Sequence, residues 1–463
     1  MPSLFSIWFA CTEKIDEYIQ TEMKAEQIPG LCYAVALNNK VIDSGAYGYA
    51  NLELKAPVTP RSLFNIGSIG KTFTATGIML LQQDGKLSIN DLINKYLDSL
   101  PDSWKNITIK NLLNHTSGIA EYIQNSPSHP FNGPDRTKEI TEAEFISIVT
   151  NLPLDFQPGE QYAYRSTNFV LLGFIIHKVS GKPQAEFMKE RVFGPLGMSE
   201  TRYTSVSEII PNRASGYVVN DSYKVMNGIY VGNFYSSLGD MGIITTATDL
   251  AKWCGALESE KILDEQSLQQ MWTHSKLNSG IEVYYGLGWE LLDYRGNKVI
   301  GHEGGFLSGY TATFAYFPEK HLSVAILANL NPTYLFHMRY RIAGFFMPEL
   351  KPVDQLGVQT NADTSLNKTI YTILEDLRTK NYDLSLFTQS LIDRMSKAKI
   401  SPPHIAKENI VLVGSDKIKN KNFERYGVPV EKIICYKVQF EKRTIYVGLY
   451  VTAHNKVTDI SSY

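Results

Sequence analysis

The stretch FNIGSIGKTFTATGIMLLQQDGK, residues 64–86, decides how this chain is read. From Ser68 onward, Phe73, Thr76, Ile78, Met79 and Leu80 recur at helical spacing, and Asp84-Gly85 supplies the left-handed residue on which many helices end. Ser68 therefore stands at a helix N-terminus, and Lys71, three residues on, shares its face. A serine hydroxyl is a poor nucleophile until a base takes its proton, and a partly desolvated lysine loses pKa and can be that base. The helix start adds free backbone N–H groups and a positive dipole end, which favour negative charge on a reacting carbonyl oxygen. The bland alternative is a helix-capping serine beside a surface lysine. Ser-x-x-Lys recurs at Ser365 and Lys368 and at Ser396 and Lys399, in linker-like or charged surroundings, so context rather than spacing singles out Ser68.

Outward from this helix, residues 12–28 carry Ile15, Ile19 and Met23 at helical spacing until Pro29-Gly30 stops the pattern. Residues 31–37 and 41–49 read as strands joined by a tight turn at Asn38-Asn39-Lys40. Residues 90–260 alternate short helical stretches with turn-rich loops such as 125–135, which suits an inserted all-helical layer. Residues 281–292, 298–301, 311–318 and 322–330 then read as strands, followed by a helix at 335–346. Strands before and after the helical region predict an α+β fold, with one antiparallel sheet assembled from both ends of a domain spanning 12–350. Residues 351–365, KPVDQLGVQTNADTS, lose periodicity and read as a linker. Residues 366–463 are expected to form a small α+β accessory domain. It has helical material at 370–394 and alternating strands at 431–440 and 443–451 about a Glu441-Lys442 turn.

With 463 residues and 43% hydrophobic content the chain can bury a large core and a second, smaller one. Its 47 acidic and 45 basic residues nearly balance, which leaves no net field to gather nucleic acid or an anionic membrane. A small molecule or peptide is the expected partner. Cys11, Cys32, Cys254 and Cys435 are far apart and match no metal spacing or CxxC pattern, so a disulfide scaffold or zinc site has no support, and no cofactor is expected. The apolar run 4–11 has no Lys or Arg before it and is too short to span a membrane, and no transmembrane segment is expected elsewhere. It makes no convincing signal peptide, and location is left open between the cytoplasm and the periplasm or exterior. Oligomeric state is likewise open.

Two further elements carry chemistry. Gly301-His302-Glu303-Gly304-Gly305 lies between two predicted strands, and glycines there mark a place where another backbone or a ligand approaches closely. Such an edge strand can hydrogen-bond an extended substrate and offer an N–H to an oxyanion. The alternative is a hairpin loop with a solvent-facing His302. Tyr164 precedes the apolar stretch 169–179, and a tyrosine near a lysine can relay protons. Judged alone, it is a packing aromatic.

Taken in order, Ser68-Ile69-Gly70-Lys71, Tyr164 and His302-Glu303-Gly304 resemble the family of class C β-lactamases, low-molecular-weight penicillin-binding proteins and related D-peptidases and esterases. The likeness extends over about residues 12–346. It runs through IPG (28–30), AYGYA (46–50), DGKL (84–87), LNHTSG (113–118), PLGM (195–198), TATDL (246–250) and YGLGW (285–289). It implies the β-lactamase/transpeptidase-like fold, Ser68 as the acylated nucleophile, and Lys71 and Tyr164 sharing proton transfer. The backbone N–H groups of Ser68 and Gly305 would form the oxyanion hole, with Ser166, His302 and Gly304 against the substrate. His115 is read as a packing and hydrogen-bonding histidine.

One departure stands out. Where the family's second motif reads Tyr-x-Asn, this chain has Tyr164-Arg165-Ser166, and Ser offers a shorter reach than a carboxamide. With His302 in place of the usual lysine, this favours the D-peptidase and esterase branch, with weak β-lactam hydrolysis at most. A penicillin- or peptide-binding sensor with slow or no turnover is the alternative. The C-terminal region resembles the cone-shaped or lipocalin-like accessory domains of some relatives.

Overall fold

The computed structural model describes residues 4–122, 137–220, 224–236, 238–259, 262–295 and 297–350. In the C-terminal region it describes 372, 385, 387–389, 391–392, 410–417, 424–425, 428–439, 444–454 and 456–462. The chain divides into two compact units, one of residues 1–292 and 298–343, the other of 293–297 and 344–463.

The main sheet has seven strands: β1 (Gly30–Leu37), β2 (Lys40–Asn51), β3 (Ala56–Pro57), β4 (Glu290–Tyr294), β5 (Asn297–Phe306), β6 (Tyr310–Phe317) and β7 (Leu322–Ala328). Asn38 and Asn39 both take left-handed backbone angles, φ 49° and 60°, which turn the chain tightly between β1 and β2. The strand order is β4-β5-β6-β7-β1-β2-β3, so β1 from the front of the chain meets β7 from far along it, Leu31 opposite Ala328 and Leu37 opposite Leu322. β7 is buried along its whole length and β1 along all but its last residue, so both faces of the sheet are covered.

Five helices pack on this sheet or build the site: α1 (Leu4–Glu26), α2 (Gly70–Gln83), α3 (Ser166–Ser180), α4 (Ala247–Glu258) and α5 (Phe336–Phe346). α4 packs on β1, β2, β6 and β7. α1 packs on β2, and α5 reaches β6, where Arg339 donates to Thr313 Oγ1 and the Phe314 carbonyl at 3.0 and 2.9 Å. α2 is buried on every side from Gly70 to Leu81, as befits a central helix. Its three buried threonines are satisfied locally or across helices: Thr72 by the Ile69 carbonyl, Thr76 by the Thr72 carbonyl and Thr74 by the Gly239 carbonyl. Trp253 of α4 stacks on Phe73 of α2 at 4.0 Å, which ties the sheet layer to the central helix.

The region expected to be an all-helical layer holds helices joined by long loops, together with short strands at Arg202–Tyr203, Tyr217–Val219, Val225–Asn227 and Ile243–Thr245. The strand predicted over 281–292 does not run through. Glu282–Val283 is a short strand, and the chain then turns so that Gly286 N–H meets the Trp289 carbonyl and Gly288 N–H meets the Leu113 carbonyl, before β4 begins. Apolar alternation concealed this turn, in which Gly288 comes against Ala75 of α2.

The second unit contains an antiparallel sheet β8 (Ile410–Lys417), β9 (Lys432–Gln439), β10 (Thr444–Val451) and β11 (Val457–Ser462), in that order. β9 and β10 pair with Gln439 opposite Thr444. The expected linker at 351–365, the Glu441-Lys442 turn, the loop at 125–135 and nearly all of the helical stretch at 370–394 lie outside the described residues.

Candidate active site

Asn65 shapes the approach to α2. Its Oδ1 accepts the Gly67 N–H at 2.7 Å, and Gly67 adopts φ 50°. A single 3-10 turn, Gly67–Ile69, then carries Ser68 and runs straight into α2. Neither turn nor helix has a side-chain cap, Ile66 and Ile69 standing at the two N-cap positions.

Lys71 is the second residue of α2, fully buried, and donates from Nζ to Ser68 Oγ at 2.8 Å and to the Asp240 carbonyl at 3.3 Å. Burial pulls its pKa down to about 8, against the opposing pull of the Asp240 and Glu121 carboxylates. A buried lysine in this state releases its proton far more readily than one in water.

Tyr164 lies over this pair, its ring centroid 4.9 Å from Lys71 Nζ. Burial drives the phenol pKa well above its ordinary value, with Ser68 as the main group resisting the shift, so the hydroxyl stays protonated. Two backbone bonds fix it. The His115 carbonyl accepts the Ala163 N–H at 3.0 Å, and His115 Nδ1 accepts the Arg165 N–H at 3.2 Å. His115 therefore grips the chain on both sides of Tyr164, and its ring packs against the phenol at 4.4 Å. It packs and hydrogen-bonds, as read from the sequence.

Ser166 is the first residue of α3 and is buried. Arg165 provides no side-chain cap; instead Glu121 caps the helix from another segment, its Oε2 taking the Ser166 N–H at 2.6 Å. The nearby carboxamide, Asn168, does not stand in for the missing Asn. Its Oδ1 accepts from Ser117 Oγ at 2.7 Å and its Nδ2 lies 3.3 Å from His115 Nδ1, so it holds the 115–118 loop.

The opposite wall is β5. The expectation of a glycine-rich stretch between two strands, or on an edge strand, is corrected: residues 301–305 lie inside one continuous ten-residue strand, and β4 lies outside it in the sheet order. Glycine is needed because two backbones meet. A Cβ on Gly304 would come within 1.9 Å of the Ile66 carbonyl oxygen and 3.0 Å of the Ser68 nitrogen, and one on Gly67 within 2.5 Å of the Gly305 carbonyl oxygen. His302 is buried rather than solvent-facing. Its Nδ1 sits 2.6 Å from the Glu303 carbonyl and its Nε2 2.9 Å from the Tyr285 hydroxyl, partners that assign the proton to Nδ1. Burial, reinforced by the Lys71 charge, holds its pKa near 3, so the ring is neutral.

The seven residues singled out from the sequence lie on four pieces of chain: Ser68 in the turn before α2, Lys71 at the start of α2, Tyr164 and Ser166 just before and at the start of α3, and His302, Gly304 and Gly305 in β5. Sequence reasoning missed Glu121 and Asp240, two carboxylates that act electrostatically on Lys71. Their one sequence signal is an acidic residue in an otherwise apolar or glycine-rich setting, IAEY at 119–122 and GDMG at 239–242.

The beta-lactamase family pattern matches residues 15–344. Among similar proteins, penicillin-binding protein 4* of Bacillus subtilis (strain 168) is 30% identical over 298 residues, 61% of this chain and 64% of that protein, so the chain spans under two thirds of that relative's length. Protein flp of Staphylococcus aureus (strain MW2) is 26% identical over 374 residues, 76% of this chain and 72% of that protein. Among solved structures, the octameric penicillin-binding protein homologue from Pyrococcus abyssi has a TM-score of 0.65 at 24% identity, over 97% of this chain and 98% of that one. A D-stereospecific amidohydrolase from Streptomyces sp. has a TM-score of 0.56 at 26% identity, over 67% of this chain and 92% of that one. The fold is the penicillin-binding-protein and β-lactamase fold, and the chain belongs to the beta-lactamase family of serine hydrolases.

Proposed function

We propose that this protein hydrolyses amides or esters through an acyl-enzyme on Ser68, and that D-amino-acid-containing peptides or small esters are its substrates. The observation that carries the reading is the 2.8 Å contact between Lys71 Nζ and Ser68 Oγ, made by a lysine whose pKa burial has lowered to about 8. The neutral amine accepts the Ser68 proton as Oγ attacks the carbonyl carbon. The N–H groups of Ser68 and Gly305 receive the oxyanion. Tyr164, held protonated by burial, gives its proton to the departing amine or alcohol and is reprotonated from Lys71. Water then attacks the acyl carbonyl and gives a proton to Lys71, which returns it to Ser68 Oγ as the ester C–O bond breaks, so the carboxylic acid leaves with Ser68 and Lys71 restored. The likeness to a D-stereospecific amidohydrolase supports the choice of substrate class.

A second reading, a penicillin- or peptide-binding sensor that acylates and turns over slowly, is favoured by one observation. The position of the family Asn is occupied by Ser166, whose N–H is committed to Glu121. One experiment separates the two. A fluorophosphonate and a fluorescent penicillin are applied to the wild type and to Ser68→Ala, alongside turnover of D-alanyl amides and nitrophenyl esters. The hydrolase reading expects labelling and turnover that both vanish in Ser68→Ala. Labelling without turnover selects the sensor, and neither in the wild type rejects both.

A further inference from the structure

Asp240 is a carboxylate with no part in the acyl transfer itself, and its setting is unusual. It is completely buried, Oδ2 accepts the Tyr122 hydroxyl at 3.2 Å, and Oδ1 has no hydrogen-bond partner among the described residues. An incompletely bonded carboxylate in the interior is costly unless a charge of opposite sign compensates it. The cation beside it is Lys71, whose Nζ also donates to the Asp240 backbone carbonyl. The segment is locked along α2. Gly239 takes the Thr74 hydroxyl with its carbonyl, and a Cβ on Gly70 would lie only 3.5 Å from the Met241 nitrogen. The amine is thus held to the Asp240 backbone, and the carboxylate acts on it electrostatically from the same residue.

We propose that Asp240 is a positioning residue that acts through Lys71, holding it in the ammonium form at neutral pH and so setting the pH at which Ser68 becomes a nucleophile. The inference rests on Lys71 as the base of the proposed acyl transfer. Among the groups around the amine, Asp240 has the larger effect. Glu121 favours the charged amine in the same direction by less, while its oxygens accept backbone N–H groups from Ser166 and Tyr122. Tyr164, His115 and His302 are neutral, the two imidazoles partly because the Lys71 charge opposes their protonation. Around Asp240 the remaining titratable groups are Tyr122, Tyr203 and Glu121. Burial raises the Asp240 pKa to about 6, and Lys71 opposes that rise, so the two charges coexist between about 6 and 8. Within that window Asp240 withholds the base.

The test is the pH dependence of Ser68 phosphonylation by a fluorophosphonate, read as a single-turnover rate on the full chain. The wild type should show an acid limb near pH 8. In Asp240→Asn, which keeps an oxygen for the Tyr122 hydroxyl, the limb should move down by about one pH unit or more, the range a close opposite charge produces. That shift corresponds to a rise of roughly tenfold in rate at pH 6, with the alkaline plateau little changed. Tyr122→Phe removes the donor that favours the Asp240 carboxylate and should shift the limb in the same direction by less; it serves if Asp240→Asn does not fold. Phosphonylation that stays dependent on Ser68 with an acid limb unmoved in the folded variant overturns the role of Asp240. Phosphonylation that persists in Ser68→Ala overturns the hydrolase reading instead.

Discussion

The two walls of the site use opposite electrostatic strategies. On the helix side, charge is buried and kept: Lys71 and Asp240 are both inaccessible, and each opposes the shift that burial imposes on the other. On the strand side the groups set against the Ser68 turn are uncharged: His302 is neutral down to about pH 3, and Gly304 and Gly305 leave bare backbone, while the carboxyls of Glu290 and Glu303 act on the buried Arg339. Buried charge can be released or transferred, so proton movement belongs to the helix side. Neutral backbone can only be shaped and aimed, so the strand side governs fit.

The largest blow to this contrast is Lys71→Met, which keeps the volume and deletes the proton acceptor. We expect kcat/KM to fall about 10³- to 10⁴-fold on a nitrophenyl ester, with the acid limb abolished. A residual activity that kept its acid limb would move the base elsewhere. Gly304→Ala is next. The new methyl meets the Ile66 carbonyl oxygen, where overpacking costs about 1–3 kcal/mol, so kcat/KM should drop roughly 10- to 10²-fold with the acid limb in place. A moved limb would show that the strand side also tunes protons.

The smallest effect is expected for His302→Gln, less than about tenfold in kcat/KM and with no displaced limb between pH 5 and 9, because a ring already neutral there has no charge to lose. It should show instead in stability. The folded ring resists protonation until about pH 3, whereas the unfolded one takes a proton near 6.5, so wild-type stability declines as pH falls between these values. The urea midpoint measured across that range should fall less steeply in the variant.

How much could be read from the chain beforehand differs by element, for physical reasons. The Asn38-Asn39 turn and the Asp84-Gly85 helix end are local backbone signals, and both are where the sequence pattern implied. The pairing of front and rear strands in one sheet was legible because strand patterns flank a helical middle. The break within 281–292 was not, since its cause is the distant contact of Gly288 with α2. His302 could be read as exposed or buried equally well, because its burial depends on Tyr285 and the sheet rather than on its neighbours in sequence. Asp240 was invisible for the same reason: it meets Lys71 across 169 residues, and no periodicity reports such a contact.

The backbone contact between Gly67 and Gly305 has a consequence for biosynthesis. During translation the Ser68 turn leaves the ribosome long before β5 exists, and strands this far apart in sequence pair late. Ser68 is therefore made without its facing wall, so a nascent chain carries the serine and lysine of this site but, under the proposed mechanism, cannot present an acyl group to the β5 backbone until nearly all of the first unit has been synthesised. Under the proposed mechanism, acylation competence thereby becomes a report on completed folding, and a truncated or stalled chain is expected to be inactive even when its helix is intact.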